Sequence, residues 1–128
     1  MPSATSQLHP AHPLTVLTKR HDFLAAAKFG KKGVASSVIL QAHAHGKPIP
    51  PRYGITASKK IGNAVTRNRA KRRLRHLIQH ALSPRAEAGI DYVFIARHNT
   101  ATVSWPQLVG DFEKAMRRLA ASTDQTSS

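Results

Sequence analysis

Ser58-Lys59-Lys60-Ile61-Gly62-Asn63-Ala64-Val65-Thr66-Arg67-Asn68-Arg69-Ala70-Lys71-Arg72-Arg73-Leu74-Arg75 is the stretch around which the chain is organised. Between Lys59 and Arg75 it holds eight of the twenty Lys and Arg residues and no acid. From Ala64 onward the spacing predicts a helix. Leu74, Leu77, Ile78, Ala81 and Leu82 repeat as one buried stripe, and Ala70 extends it by a turn. At about 100° per residue, Arg67 and Lys71 flank this stripe. Arg75 lies further round with Asn68, and Arg69, Arg72, Arg73 and His76 point away. The helix therefore has one apolar anchor and two basic faces.

Such a helix is poorly stabilised by itself. Helix N-termini favour anions, yet Lys59, Lys60 and Arg67 gather there. No acid lies three or four residues from any of these cations to pair with them. Solvated faces usually mix signs, so a polyanion is the expected partner.

The whole chain agrees. Its 128 residues suffice for one domain with a core, and its formal net charge is +14. Nucleic acid is the leading partner on that ground. A membrane is not expected, because there is no long apolar run and the basic helix lacks large apolar anchors. With no cysteine, disulfides and thiolate zinc sites are excluded, and a cytoplasmic location is expected.

Outward from the basic helix, residues 52–58 alternate as a strand, and so do residues 36–44. The Gly- and Pro-rich residues 45–51 between them suggest an antiparallel hairpin. Lys31, Lys32 and Gly33 read as a basic turn. A first helix is expected over residues 20–29, capped by Thr18 or Asp22, with Phe23, Leu24 and Ala27 on one face and Gly30 as its stop. Leu14 to Leu17 begins the packed domain.

Downstream, Ser83-Pro84 ends the basic helix. Tyr92-Val93-Phe94-Ile95-Ala96 is apolar on both sides, as a central strand is. It should run parallel to the strand at Arg52, with the basic helix as crossover. A last helix fits residues 105–119. The expected product is an α+β two-layer sandwich of a small mixed sheet with helices. Residues 1–13 and 120–128 are expected to be disordered tails around a domain of residues 14–119.

Candidate catalytic groups are sparse. The acids are Asp22, Glu87, Asp91, Asp111, Glu113 and Asp124, and none forms a close pair in sequence. His43 with His45, and His76 with His80, have spacings that could hold a metal. Arg72, Arg73 and Arg75 around His76 would repel a dication, so no metal site is expected. The amides after Asn63, with Lys59 and Lys60, could receive one phosphate.

Residues 58–72 closely resemble the signature of the bacterial ribonuclease P protein subunit, whose hallmark triplet is present as Arg67-Asn68-Arg69 followed by Lys71-Arg72. The resemblance extends to Lys19 through Gly30, to Arg52-Tyr53-Gly54-Ile55 and to Asp91 through Arg97. It implies a fold like the second domain of a small-subunit ribosomal protein, with a left-handed β-α-β crossover. It also implies a role in removing the 5′ leader from precursor tRNA, with magnesium ions held mainly by a catalytic RNA partner and none by the protein alone. No obligate protein partner is implied.

By the same resemblance, Lys59, Lys60, Arg67, Asn68, Arg69, Lys71, Arg72, Arg73 and Arg75 would bind RNA, and no residue of the chain would be catalytic. Phe23 and Gln41 would lie in a cleft for the leader. The chain departs from the family at Ala27 and Gln41, where aromatics are frequent. Leader stacking would then be weaker, or Phe29 would compensate unless it belongs to the core. Competing readings are a ribosomal protein or RNA chaperone, and a DNA-binding module whose basic helix enters a groove.

Overall fold

A computed structural model describes residues 14–127, with side chains through residue 121. Five strands form one sheet in the order β1-β4-β5-β3-β2. They are β1 (Thr15–Val16), β2 (Lys31–Val34), β3 (Val38–Ala44), β4 (Arg52–Thr56) and β5 (Ile90–Ala96). Three α-helices accompany them: α1 (Arg20–Phe29), α2 (Ala64–Leu77) and α3 (Trp105–Ser127).

The central position of β5 follows from its sequence. Tyr92 and Phe94 face α2 and α3, within the larger core. Val93 faces the other way, against Leu17 and Ala26 under α1. A strand with apolar side chains on both faces gains most by having layers on both sides. As expected, β4 and β5 are parallel, with Tyr53 beside Tyr92 and Ile55 beside Phe94, and α2 lies in the connection.

The expected hairpin between β3 and β4 is not formed. Each pairs instead with β5, β3 antiparallel and β4 parallel. Alternation tells which face each strand buries and says nothing of its neighbour. The Pro-rich segment is consequently a crossing loop. Residues 31–33 are likewise no turn; they belong to β2, antiparallel to β3. Gly33 makes that strand possible, because a Cβ there would lie 2.1 Å from the Ala115 carbonyl oxygen of α3.

Helix boundaries follow local chemistry. Gly62 adopts φ +145°, and the Asn63 side chain accepts from the Thr66 N–H at 3.0 Å, capping α2. The Thr66 amide, one of those after Asn63 expected to receive a phosphate, is thus taken. The end of α2 widens into a π-turn over Ile78–Leu82, which keeps Ile78 and Leu82 buried before the short Ser83–Arg85 turn. Neither Thr18 nor Asp22 caps α1; Lys19 stands at that position with no side-chain bond. Ala26 is the buried residue of α1, with Phe23 packed beside it, whereas Leu24 and Ala27 are exposed. The backbone of α3 stays helical through Ser127, beyond the stop expected at Leu119. The N-terminal residues 1–13 lie outside the described residues.

Asp111 ties α3 to the turn before β3. Its carboxylate accepts from Ser37 Oγ at 2.5 Å, Ser37 N–H at 3.1 Å and Gln107 Nε2 at 3.1 Å. Burial pushes its pKa up, but the Ser37 and Gln107 bonds outweigh burial and hold it below the usual carboxylate value. A lowered pKa contributes stability above the unfolded value of about 3.9, lost as pH falls through the folded value. Below about pH 4, wild type should therefore lose stability more steeply than Asp111→Asn, measured by thermal melts across an acid series. Equal slopes would contradict the assignment.

Candidate nucleic-acid interface

The basic helix buries its stripe as the spacing predicted. Ala70, Leu74 and Leu77 are fully enclosed. Lys59 and Lys60 sit on a short 3-10 turn just before α2, both exposed. Asn68, Arg69 and Arg72 are exposed on the outer face, and Arg75 is exposed further round. This distribution leaves a cationic surface with no acid on its own helix.

Arg73 departs from the expected picture. It is half-buried, and its guanidinium donates to the Thr100 carbonyl at 2.9 Å. Thr100 is itself fixed, donating through Oγ1 to the Ser37 carbonyl at 2.6 Å and accepting from the Arg97 N–H at 2.7 Å. A helical wheel places Arg73 outward, but the loop after β5 rises to meet it. Arg67 is also half-buried, and its Nε is enclosed without a hydrogen-bond partner.

Two cations instead turn toward a cleft of about 400 Å³ at the sheet edge. Lys71 and Arg75 form one wall, Val16 and Leu17 another, and Phe23 with Tyr53, Gly54 and Ile55 completes it. The cleft exists because β1 pairs with β4 only as far as Tyr53. Gly54 lets Phe23 lie against the strand, since a Cβ there would come within 2.4 Å of the ring. A second recess of about 380 Å³ shares Phe23 and Ile55 and reaches Thr18 and Arg20. Phe23 thus stands between two recesses with cations at both ends and no acid in either lining.

Gln41 is not among the residues lining this cleft. It lies on β3, between Lys32 of β2 and Val93 of β5, nearer the other end of α1. Sequence reasoning missed Gly54 and Arg20 as cleft residues. An isolated glycine inside an alternating strand was the available signal for Gly54.

An ionic network braces the same sheet face. Arg52 grips buried Asp91 with two bonds of 2.8 Å and reaches Asp22 of α1 at 3.4 Å. His45 Nε2 lies 3.3 Å from Asp91, while its Nδ1 accepts from the Lys47 N–H. The Asp91 bonds, against some desolvation, push the Arg52 pKa above its ordinary value. This network occupies two of the six acids. Asp111 is bonded as above, and Glu113 pairs with Arg85 at 3.0 Å. His76 and His80 both pack on Trp105, with ring centroids 5.8 and 5.9 Å away. Among the described residues no three His, Cys, Asp or Glu side chains converge to hold a metal.

A mixed sheet braced by three helices, carrying an acid-free basic helix beside a cleft with an aromatic wall, defines an α+β protein suited to bind a polyanion with exposed bases. Comparison with known proteins makes this specific. The Ribonuclease P family pattern matches residues 12–120, so the chain belongs to the ribonuclease P protein family. It is 43% identical over 124 residues to the "Ribonuclease P protein component" of Ruegeria pomeroyi, covering 94% of this chain and 98% of that one. The Caulobacter vibrioides protein of the same name is 46% identical over 110 residues, 85% of this chain and 73% of its own. Among solved structures, the Staphylococcus aureus RNase P protein superposes with a TM-score of 0.67 at 26% identity, over 80% of this chain and 92% of that one. The Thermotoga maritima RNase P protein gives 0.66 at 25% identity, over 80% and 94%.

Proposed function

We propose that the chain serves as the RNA-binding protein subunit of ribonuclease P, the ribonucleoprotein that matures tRNA 5′ ends, and that it binds two RNAs on separate surfaces. The outer face of α2 and its preceding turn, with Lys59, Lys60, Asn68, Arg69 and Arg72, takes the ribonuclease P RNA. The cleft, with Phe23, Lys71 and Arg75, takes the 5′ leader of precursor tRNA. Arg67 bridges the two surfaces. Arg73 acts mainly by fixing α2 to the loop at Thr100, and Gln41 lies outside the leader's first recess.

The observation that carries this reading is the cleft. It offers the Phe23 ring for a base, with Tyr53 also in its lining, and cations for adjacent phosphates, which suits a single strand and not a duplex. The chain's own acids do not fit a magnesium site, because those of known placement are separated or engaged by Arg52, Ser37, Gln107 and Arg85. Magnesium and the cleavage chemistry are therefore assigned to the RNA partner.

Reconstitution tests the reading. The protein freed of RNA should leave precursor tRNA intact. Adding the ribonuclease P RNA of the same organism should give magnesium-dependent cleavage at the mature 5′ end. Cleavage by RNA-free protein would refute the division of labour. Preferential capture of ribosomal RNA, with no effect on leader removal, would favour the ribosomal or chaperone reading.

A further inference from the structure

We propose that Phe29 and His43 form a second stacking platform for a base of single-stranded RNA, at the end of α1 opposite Phe23. The proposal deepens the leader-binding reading and rests on it.

Phe29 is the last residue of α1 and is 66% exposed, so it is not part of the core. A lone exposed phenylalanine is ordinary. This ring, however, is held in place. Its centroid lies 6.1 Å from that of His43, the rings tilted by 33°. Lys28 Nζ stands 5.3 Å from the Phe29 centroid. Gly30 brings the two rings together, because a Cβ there would lie 2.5 Å from the Ala26 carbonyl oxygen and 2.9 Å from that of Ala42. Only glycine lets the end of α1 descend this far onto β3.

The surroundings suit RNA. Gln41 and His43, two residues apart on β3, share the sheet face beneath α1, and Lys32 lies directly opposite Gln41. Lys28 and Lys32 place positive charge beside the exposed ring. Asp91, opposite His43, is buried and held by Arg52, so it offers no free negative charge here. His43 Nδ1 is enclosed without a hydrogen-bond partner, and the imidazole is held by packing against the Phe29 and His45 rings. Lys28 lies over one face of the Phe29 ring on a flexible stem, which a stacking base displaces toward its own phosphates. Phe23 and Phe29 are separated by about 9 Å along the helix axis, at the 1.5 Å rise per residue. They also lie about 120° apart around the helix, on either side of buried Ala26, so a strand that engages both crosses α1.

The test uses the reconstituted holoenzyme and two precursor tRNAs, one with a long leader and one with a leader of a single nucleotide. Wild type should bind the long-leader substrate more tightly. Phe29→Ala should weaken that binding roughly five- to hundredfold, as expected for the loss of one stacked base, and leave the short-leader substrate unaffected. Phe29→Tyr should restore the wild-type affinity. A 2-aminopurine in the long leader should be quenched by wild type at one position and not by Phe29→Ala. If Phe29→Ala matches wild type on both substrates, or weakens both equally, the platform is wrong while leader binding stands. If wild type does not distinguish the two substrates, leader binding itself fails, and the platform with it.

Discussion

An Arg69→Ala/Arg72→Ala variant is expected to melt at or above the wild-type temperature and to bind ribonuclease P RNA roughly ten- to a thousandfold more weakly at low salt. Both side chains are exposed, so their removal creates no cavity. Alanine favours helix, and the change relieves repulsion along a helix with no acid to balance it. The magnitude follows from the Coulomb interaction of a cation with a phosphate at about 4 Å, roughly 1–4 kcal/mol between water and a protein surface. Thermal melts and equilibrium binding check the two halves separately. Arg73→Ala should behave differently, lowering the melting temperature because it abandons the Thr100 carbonyl.

Arg52→Ala should have the largest effect on stability, about 3–5 kcal/mol, because it leaves Asp91 buried without its cation. Asp91 is only 1% exposed, and both of its carboxylate oxygens are bonded to Arg52. His45 Nε2, 3.3 Å away, is the other side chain beside this carboxylate among the described residues, and its Nδ1 accepts from the Lys47 N–H, so it does not replace the guanidinium. Replacing both partners, as Arg52→Met/Asp91→Leu, should recover much of the loss, since no charge is then stranded. Chemical denaturation of the two variants decides. A double variant as unstable as the single one would show that the pair contributes through its geometry and not through the stranded charge.

The faces of the elements were legible in the sequence, but not their neighbours. The Leu74 stripe was readable because burial of one helix face imposes a 3.6-residue period. The place of β5 was readable because Val93 and Phe94 point to opposite sides and both are apolar. Strand pairing was not readable, since β3 and β4 alternate equally well whether they pair with each other or with β5. Lys31 and Lys32 resembled a turn because the close approach that makes β2 a strand, Gly33 against Ala115, joins residues far apart in the chain.

The site divided in the same way. The cationic outer face was visible from composition and period. That Arg73 reaches Thr100, that Arg52 neutralises Asp91, and that Phe29 is exposed beside His43 are tertiary facts. No local pattern encodes them. Phe23 was placed in the cleft by family resemblance, and Gly54 explains physically why it fits there.

The salt dependence of binding to ribonuclease P RNA, compared between wild type and Arg69→Ala/Arg72→Ala, tests the central claim most directly. If the outer face of α2 neutralises phosphates, log affinity should fall linearly with log salt for both proteins. The variant's slope should be shallower by about 0.7–0.9 for each phosphate that it no longer neutralises, or about 1.4–1.8 for the two arginines together. A folded variant with the wild-type slope and affinity would show that this face of the helix does not hold the RNA.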